Sequence, residues 1–398
     1  MEARFESGIQ LAKLTSMHVL ISALHRPVKP TGVCRHAANL ALCLVDLAEV
    51  TKVTLIIGAW QQDYFQSTFA LDSGKIELVV VEIKNSSVSR NIWFMFGLPK
   101  LANAYAPDIV HLSFPFPIFQ SKFSVPVVST IHDLYPYEHP ENFGFPQVWF
   151  NRLFLRQCIN NSNGLTCVSQ VTLDKLKFYF PHRDRLQKTE VIYNYVDFKN
   201  LQPQAPQNFS EDSSFLLSVA QHRQNKNLDL LIQAYHWLLN EKKLKLDTRL
   251  VIVGATGPET ENIKRLIANL NLGNKVLLLS AISDTELCWL YQNCQVFITA
   301  SSTEGFCLPL VEALQFCDRV VCSDIPIFKE VGSSKCNYFS LAKNPLQNLN
   351  MAILQSWDRP ISKTDVSLPD FSKCKAAKKY FDFYLNLIYT TMKHHAQT

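Results

Sequence analysis

The chain has 398 residues, 47% of them hydrophobic and 18% charged, with a formal net charge of +5. It is too long for one ordinary core and suits two domains of roughly 150 to 200 residues each. The charge is too mild and too dispersed for a nucleic-acid surface, and leaves only a modest attraction to anionic ligands or lipid headgroups.

The opening MEARFESGIQLAKLTS carries Glu2 and Glu6 and lacks a continuous apolar core, so it does not read as a signal peptide. No apolar run elsewhere reaches the ~20 residues of a spanning helix, and a cytoplasmic protein is expected. Residues 1–16 read as an extension to the fold. From Met17 onward short β-branched runs follow one another: HVLISAL, VTLIIGA, IELVVVEI, DIVHLSF, PVVSTIHD, GLTCVS and EVIYN, with helix-compatible segments such as CRHAANLALCLVDLAE between some of them. The polar, proline-containing stretch 197–214 reads as a linker. A second alternation then begins, with strands FLLSVA, TRLVIVGA, KVLLLS, QVFITA and RVVCSD separated by helices at NLDLLIQAYHWLLNEK, ETENIKRLIANLN, SDTELCWLYQNC and PLVEALQFC. Strands alternating with amphipathic helices indicate parallel, doubly wound sheets. The expected architecture is therefore α/β, with two Rossmann-like units in tandem: 17–196, 197–365, and a C-terminal helix within 366–398 that packs back on the first unit.

Eleven cysteines are scattered without a C-x-x-C pair, and the histidines are equally dispersed. Buried free thiols are the expectation, not a disulfide framework or a zinc site. In open parallel sheets ligands bind beyond the carboxyl ends of the strands, where helix N-termini present unpaired N–H groups. After the strand VFITA comes SSTEGFCLPLVE, in which Pro309 suits the first helical position. The N–H groups near Phe306, Cys307 and Leu308 would then meet a diphosphate at a positive helix end. Glu304 in the loop and Glu312 one turn inside the helix would flank that anion site. Carboxylates are unsuited to phosphate but accept hydrogen bonds from hydroxyls, which a nucleotide sugar carries on both sides of its diphosphate.

EGFCLPLVEAL resembles the E-x7-E signature of retaining glycosyltransferases of the GT-B fold, family 4 (group 1) type. SVAQHRQNKNLDLLIQAY is similar to the family's phosphate segment, and LVIVGATG, SAISDTELCWLYQNCQVFITASSTEGF and RVVCSDIPIFKEVG to the segments flanking it. PTGVCRHAANL, VSTIHDL, TCVS and VIYNYVD match its glycine loop, histidine strand end, serine strand and domain junction. The resemblance covers nearly the whole chain from Met17, and the pieces stand in the family's order. It implies two domains facing each other across a cleft. Gly32 would lie where the backbone approaches the donor phosphate and sugar, and His132 near the donor sugar. Lys226 would neutralise the diphosphate, Glu304 would hold hydroxyls of the transferred sugar, and Glu312 the ribose.

The chain also departs from the pattern. Gln221 stands where relatives have a second cation, which makes Arg223 a candidate substitute. Cys307 replaces the second glycine of the EGFG pattern, Cys317 and Arg319 replace glycine and proline in the next turn, and Tyr195 replaces a junction glycine. The resemblance implies transfer of a sugar from a nucleotide-diphosphate donor to a hydroxyl acceptor, in polysaccharide or glycolipid assembly, with retention and without a cofactor or metal. The chain has no D-x-D pair. The aromatic, basic-flanked segment SRNIWFMFGLPK reads either as a core helix or as a peripheral membrane contact near a lipid-linked acceptor. Alternatives are a nucleotide-sugar 2-epimerase of the same fold and a non-catalytic sugar-nucleotide-binding protein. An oxidoreductase is disfavoured, because no strand is followed by G-x-G-x-x-G.

Overall fold

The computed structural model describes residues 16–28, 31–142, 144–181, 188–198, 201–207, 209–210, 212–280, 282–359 and 369–397. All of the expected extension but Ser16, together with Pro30 of the glycine loop, parts of the 197–214 linker and residues 366–368, lies outside them. The chain divides into two units, one running to Tyr195 and resuming at Asp370, the other spanning Val196–Pro369.

The first unit is a seven-stranded parallel sheet. Its strands are β1 (Met17–Ser22), β2 (Val50–Gly58), β3 (Ile76–Val81), β4 (Ile109–Leu112), β5 (Val127–Ile131), β6 (Gly164–Cys167) and β7 (Thr189–Val191), in the order β3-β2-β1-β4-β5-β6-β7. Alternate residues serve opposite faces, as the period of two requires. Val19, Ile21 and Leu55 pack under α1 (Gly32–Leu44) and the C-terminal helix Lys373–Gln397. Leu20, Ile56, Val110 and Leu112 pack instead against Phe94 and Leu98 of α2. Here α2 is one continuous helix, Ser87–Ile92, Trp93–Gly97 and Leu98–Tyr105, whose middle five residues are π-wound. α3 (Gln147–Asn161) and α4 (Gln170–Tyr179) are its other long helices, and short ones lie at Gln62–Thr68 and Tyr135–Glu138. The C-terminal helix is fastened to the sheet by buried polar contacts as well as apolar ones. Tyr384 Oη lies 2.6 Å from His111 Nδ1, and His111 Nε2 lies 2.7 Å from Thr130 Oγ1. Burial lowers the His111 pKa to about 3, so the imidazole stays neutral.

The second unit is a six-stranded parallel sheet of β8 (Phe215–Val219), β9 (Arg249–Val253), β10 (Val276–Leu279), β11 (Val296–Thr299), β12 (Val320–Ser323) and β13 (Asn337–Phe339). Their order is β10-β9-β8-β11-β12-β13. Its longer helices are α5 (Leu228–Asn240), α6 (Thr260–Asn269), α7 (Asp284–Asn293), α8 (Leu308–Phe316) and α9 (Pro345–Trp357), with a seven-residue helix at Pro326–Gly332. In both units the order reverses next to the first strand, between β1 and β4 and between β8 and β11. A crevice for ligand is expected beyond the carboxyl ends of the strands at such a reversal. All twelve strands read from the sequence are present; β13, α3, α4, α9 and the short helices at Gln62–Thr68, Tyr135–Glu138 and Pro326–Gly332 were not among the elements read.

Candidate active site

In the second unit the two loops at the strand reversal are tied together. Beyond β8 the chain passes through Ala220–Arg223 into a 3-10 turn, Gln224–Lys226, and enters α5 through Asn227, whose φ is +48°. Beyond β11 it runs through 300–306 into α8. Asn227 donates its amide to Ala300 O at 2.7 Å, Asn225 donates to Thr303 O at 3.2 Å, and Ser302 N donates to Asn225 O at 2.8 Å. These bonds hold Lys226 against Glu304. The Lys226 ammonium donates to Glu304 Oε1, which also accepts from Ser301 Oγ at 2.8 Å. Both donors land on one oxygen, and Oε2 has no partner among the described residues. The pair is largely covered, with side chains 17% and 13% exposed. Burial works against the Lys226 charge, but Glu304, by its charge and its hydrogen bond, outweighs that and raises the pKa above the ordinary lysine value. Lys226 is therefore a cation throughout the neutral range.

The glycines of the neighbouring β9 loop let this floor form. A Cβ on Gly254 would stand 2.0 Å from Ala220 O, and one on Gly257 would stand 2.3 Å from His222 O. The β9 loop lies directly on the backbone that leads to Lys226, a closeness that only glycine permits. Arg223 is exposed, near enough for its charge to oppose that of Lys226, and Gln221 precedes it.

α8 starts one residue earlier than its proline suggests. Leu308 is the first helical residue, Pro309 the second, and Cys307 is the cap with φ +71° and ψ +75°. The proline rule placed Pro309 first because it accounts only for the missing N–H. The start is set instead by the left-handed turn at Cys307. No acceptor among the described residues takes the N–H of Cys307 or Leu308, whereas Leu310 N donates to Cys307 O at 3.1 Å. Phe306 is buried. The open donors thus come from two of the three residues expected, at the mouth of the helix.

A left-handed cysteine costs about 1 to 2 kcal/mol relative to glycine, because Cβ crowds the following carbonyl. The Cys307→Gly protein is therefore expected to exceed Cys307→Ala in stability by about 1 kcal/mol, less the greater chain entropy of unfolded glycine. Thermal unfolding of the two variants, compared side by side, checks this. Burial, and next the Glu304 charge, push the Cys307 thiol well above its ordinary pKa, so it adds no negative charge to the helix mouth.

Glu312 faces inward. It is buried, and its Oε2 accepts from Tyr291 Oη of α7 at 2.8 Å. Burial and the neighbouring carboxylate hold the phenol well above its ordinary pKa, so Tyr291 remains a donor. The backbone carbonyl of Tyr291 accepts in turn from the Cys317 and Cys294 thiols, at 3.0 and 3.5 Å. All eleven cysteines are free thiols.

In the first unit Gly32 opens α1, outside the left-handed region, and a Cβ there would meet nothing within 4 Å. No contact among the described residues requires glycine at this position; open space lies over it. His132, just past β5, is half-buried, with Nε2 2.7 Å from Ser113 O. A carbonyl only accepts, so Nε2 carries the hydrogen and Nδ1 is left as an acceptor. Burial lowers its pKa against the opposing effects of Ser113 O and Asp133. The His36 ring stands edge-on at 4.8 Å, its Nδ1 2.7 Å from Asn194 Oδ1. Tyr195, in place of the junction glycine, is buried and donates to Asn39 O at 2.9 Å. Arg319 donates to the Arg359 carbonyl.

The structure thus gathers Lys226, Glu304, Cys307 and Leu308 at one strand reversal with Arg223 beside them, and Gly32 and His132 at the other. From the sequence alone, Tyr291, Ser301, Asn225 and His36 had no assigned role. Asn225 lies within the quoted phosphate segment and Tyr291 inside α7, whose apolar pattern hides a single buried hydroxyl.

Comparison with known proteins bears on the family and the fold. The model for glycosyl transferases group 1 matches residues 202–361, and that for Glycosyltransferase Family 4 matches residues 30–200. The O-antigen chain mannosyltransferase RfbU of Salmonella typhimurium is 24% identical over 310 residues, 76% of this chain and 80% of its own. A Campylobacter jejuni protein, N-acetylgalactosamine-N,N'-diacetylbacillosaminyl-diphospho-undecaprenol 4-alpha-N-acetylgalactosaminyltransferase, is 37% identical over 138 residues, 35% of each chain. Among solved structures, Anabaena HepE in complex with UDP and glucose superposes with a TM-score of 0.63 at 18% identity, covering 96% of this chain and 100% of that one.

Proposed function

We propose that this chain, which belongs to the group 1 and family 4 type glycosyltransferases of the GT-B fold, moves a sugar from a nucleotide-diphosphate donor to a saccharide hydroxyl with retention of configuration. The observation that carries this reading is the Lys226–Glu304 pair beside the unbonded N–H groups of Cys307 and Leu308. Together they offer a buried cation and a helix mouth to a diphosphate, and a free carboxylate oxygen to sugar hydroxyls. The named relatives act in O-antigen and undecaprenol-linked saccharide assembly, which supports a polysaccharide or glycolipid role for the acceptor.

In this scheme the bond between C1 of the sugar and the diphosphate oxygen lengthens toward an oxocarbenium-like state. The acceptor hydroxyl forms the new C1–O bond on the face the diphosphate leaves, and its proton passes to a leaving phosphate oxygen. Lys226 and the helix N–H groups, with Arg223 as the second cation, stabilise the negative charge that develops on the diphosphate. Glu304 Oε2 accepts from the transferred sugar and Glu312 from the ribose. In the first unit, Nδ1 of neutral His132 is an acceptor for a hydroxyl, and the open space over Gly32 lets backbone approach a ligand closely. Charge compensation is assigned to side chains and amides, so turnover is expected to be unchanged by a chelator.

The test is release of nucleoside diphosphate from a panel of UDP-, GDP- and ADP-sugars, with and without lipid-linked saccharide acceptors. Acceptor-dependent release with an α-configured product from an α-donor is expected. Conversion of the donor to its C2 epimer without acceptor would identify an epimerase. Binding without release from any donor would identify a non-catalytic protein whose replaced glycine at Cys307 has ended turnover.

A further inference from the structure

On one face of the first unit's sheet, α2, the connection 113–126 and α3 pack over a shared core of Phe94, Leu98, Phe116, Ile118 and Cys158. Their outer surface is also apolar. Val88, Ile92 and Phe96 recur every four residues along α2 and are 68%, 51% and 44% exposed. The Phe96 ring lies 5.9 Å from that of Phe119 on the connection. Gln157 of α3 grips the adjacent residue from the other side, accepting from Ile118 N at 2.8 Å and donating to Ile118 O. The apolar surface continues along α3 through Leu153, Phe150 and Trp149 to Phe145, which is 90% exposed. Exposed apolar side chains are ordinarily scattered singly; their concentration on these neighbouring elements indicates something that covers them.

The charge pattern of the same elements indicates what covers them. Segments 84–105, 113–126 and 144–161 contain six cations, Lys84, Arg90, Lys100, Lys122, Arg152 and Arg156, and no carboxylate, in a chain with 34 Asp and Glu. Arg90 is engaged by Asn85 and Ser87, and Arg152 by Pro136 O. Lys84, Lys100, Lys122 and Arg156 are exposed, and the Lys122 ammonium lies 4.8 Å from the centre of the Phe96 ring. A second copy of this chain would bring the same unopposed cations against one another. Aromatic side chains beside lysines with long apolar stems instead match the boundary of an anionic bilayer, where rings enter the headgroup layer and ammonium groups meet lipid phosphate. No helix among the described residues is long and apolar enough to cross a membrane.

We propose that this face of the first unit docks peripherally on an anionic lipid bilayer. It needs neither donor nor acceptor, so vesicle binding tests it independently of sugar transfer. The full chain is floated with vesicles of phosphatidylglycerol and phosphatidylcholine in equal parts, and with phosphatidylcholine alone, at low and high salt. Binding to the anionic vesicles is expected to be at least about tenfold stronger and to weaken with salt. Ile92→Ser with Phe96→Ser, Trp149→Ser with Phe150→Ser, and Lys100→Glu with Lys122→Glu are each expected to lower it by about tenfold or more. All three changes are at exposed positions, so thermal unfolding and donor binding are expected to match the parent chain. Equal partition onto both vesicle types, retention of full binding by the three variants, or a stable dimer in solution that shields Trp149 would each overturn the proposal.

Discussion

Replacing Lys226 by alanine is expected to lower turnover at saturating donor and acceptor by about a hundredfold or more, on the order of 3 kcal/mol in the barrier. The size follows from where the ammonium is held. It lies on a 3-10 turn tied by Asn225 and Asn227 to the loop that carries Glu304, so its position is fixed before ligand arrives. A largely covered cation interacts with a departing diphosphate far more strongly than one in bulk water. Because Glu304 raises its pKa, the lysine's charge is fully present below the ordinary lysine value and is lost only as pH rises through the higher folded one. The rate should therefore show no inflection from Lys226 between about pH 6 and 9.

Glu304→Ala is expected to be comparably damaging, since it removes both the proposed sugar contact and the carboxylate that keeps the lysine charged and aimed. Groups that act as one unit lose little more when both are removed than when either is. The Lys226→Ala, Glu304→Ala double variant is therefore expected to fall within about threefold of the slower single variant. Single-turnover kinetics with each protein measure this, and near-parent rates in both single variants would remove the assignment.

The parts of the fold read correctly from the sequence are those where one pattern dominates. Strands such as VTLIIGA and FLLSVA are continuous β-branched or apolar runs buried on both faces, and each lies where the pattern put it. β13 escaped because Asn337–Phe339 is three residues long and only Phe339 is fully buried. α3 escaped for a physical reason that also has a functional bearing. Leu155, Cys158 and Ile159 face the core while Trp149, Phe150 and Leu153 face outward, so the helix lacks the polar stripe that marks an amphipathic one. The segment SRNIWFMFGLPK, read as either a core helix or a membrane contact, has one face in the core, with Phe94 and Leu98 buried, and another outside it, with Ile92 and Phe96 exposed. Glu304 and Glu312 stood out in the loop and helix start after VFITA, and Lys226 only through the family resemblance. The pairing of Lys226 with Glu304 was not legible, because the two are 78 positions apart and meet only through the adjacency of β8 and β11. Cys307 was legible as a departure from glycine, but its left-handed backbone was not.

Glu312→Ala is expected to raise the Michaelis constant for the donor by about thirtyfold while changing the maximal rate by no more than about threefold. The carboxylate is buried in α8 and is assigned to the ribose, remote from the bond that breaks. Hydrogen bonds from hydroxyls to a charged acceptor are worth about 1.5 to 3 kcal/mol each, and they are made equally in the ground and transition states. Binding of that uniform kind changes the Michaelis constant and leaves turnover alone. Under that assignment Tyr291 would act through Glu312, since its hydroxyl donates to Oε2 at 2.8 Å. Tyr291→Phe keeps the ring but removes its hydrogen bond to that oxygen, and is expected to raise the donor constant by about tenfold, with a parallel loss in affinity for the nucleoside diphosphate product. A merely structural tyrosine would lower the melting temperature of the Phe variant and leave both constants where they were. Equilibrium titration with the nucleoside diphosphate alone separates the two outcomes, because that ligand carries the ribose but no sugar to transfer.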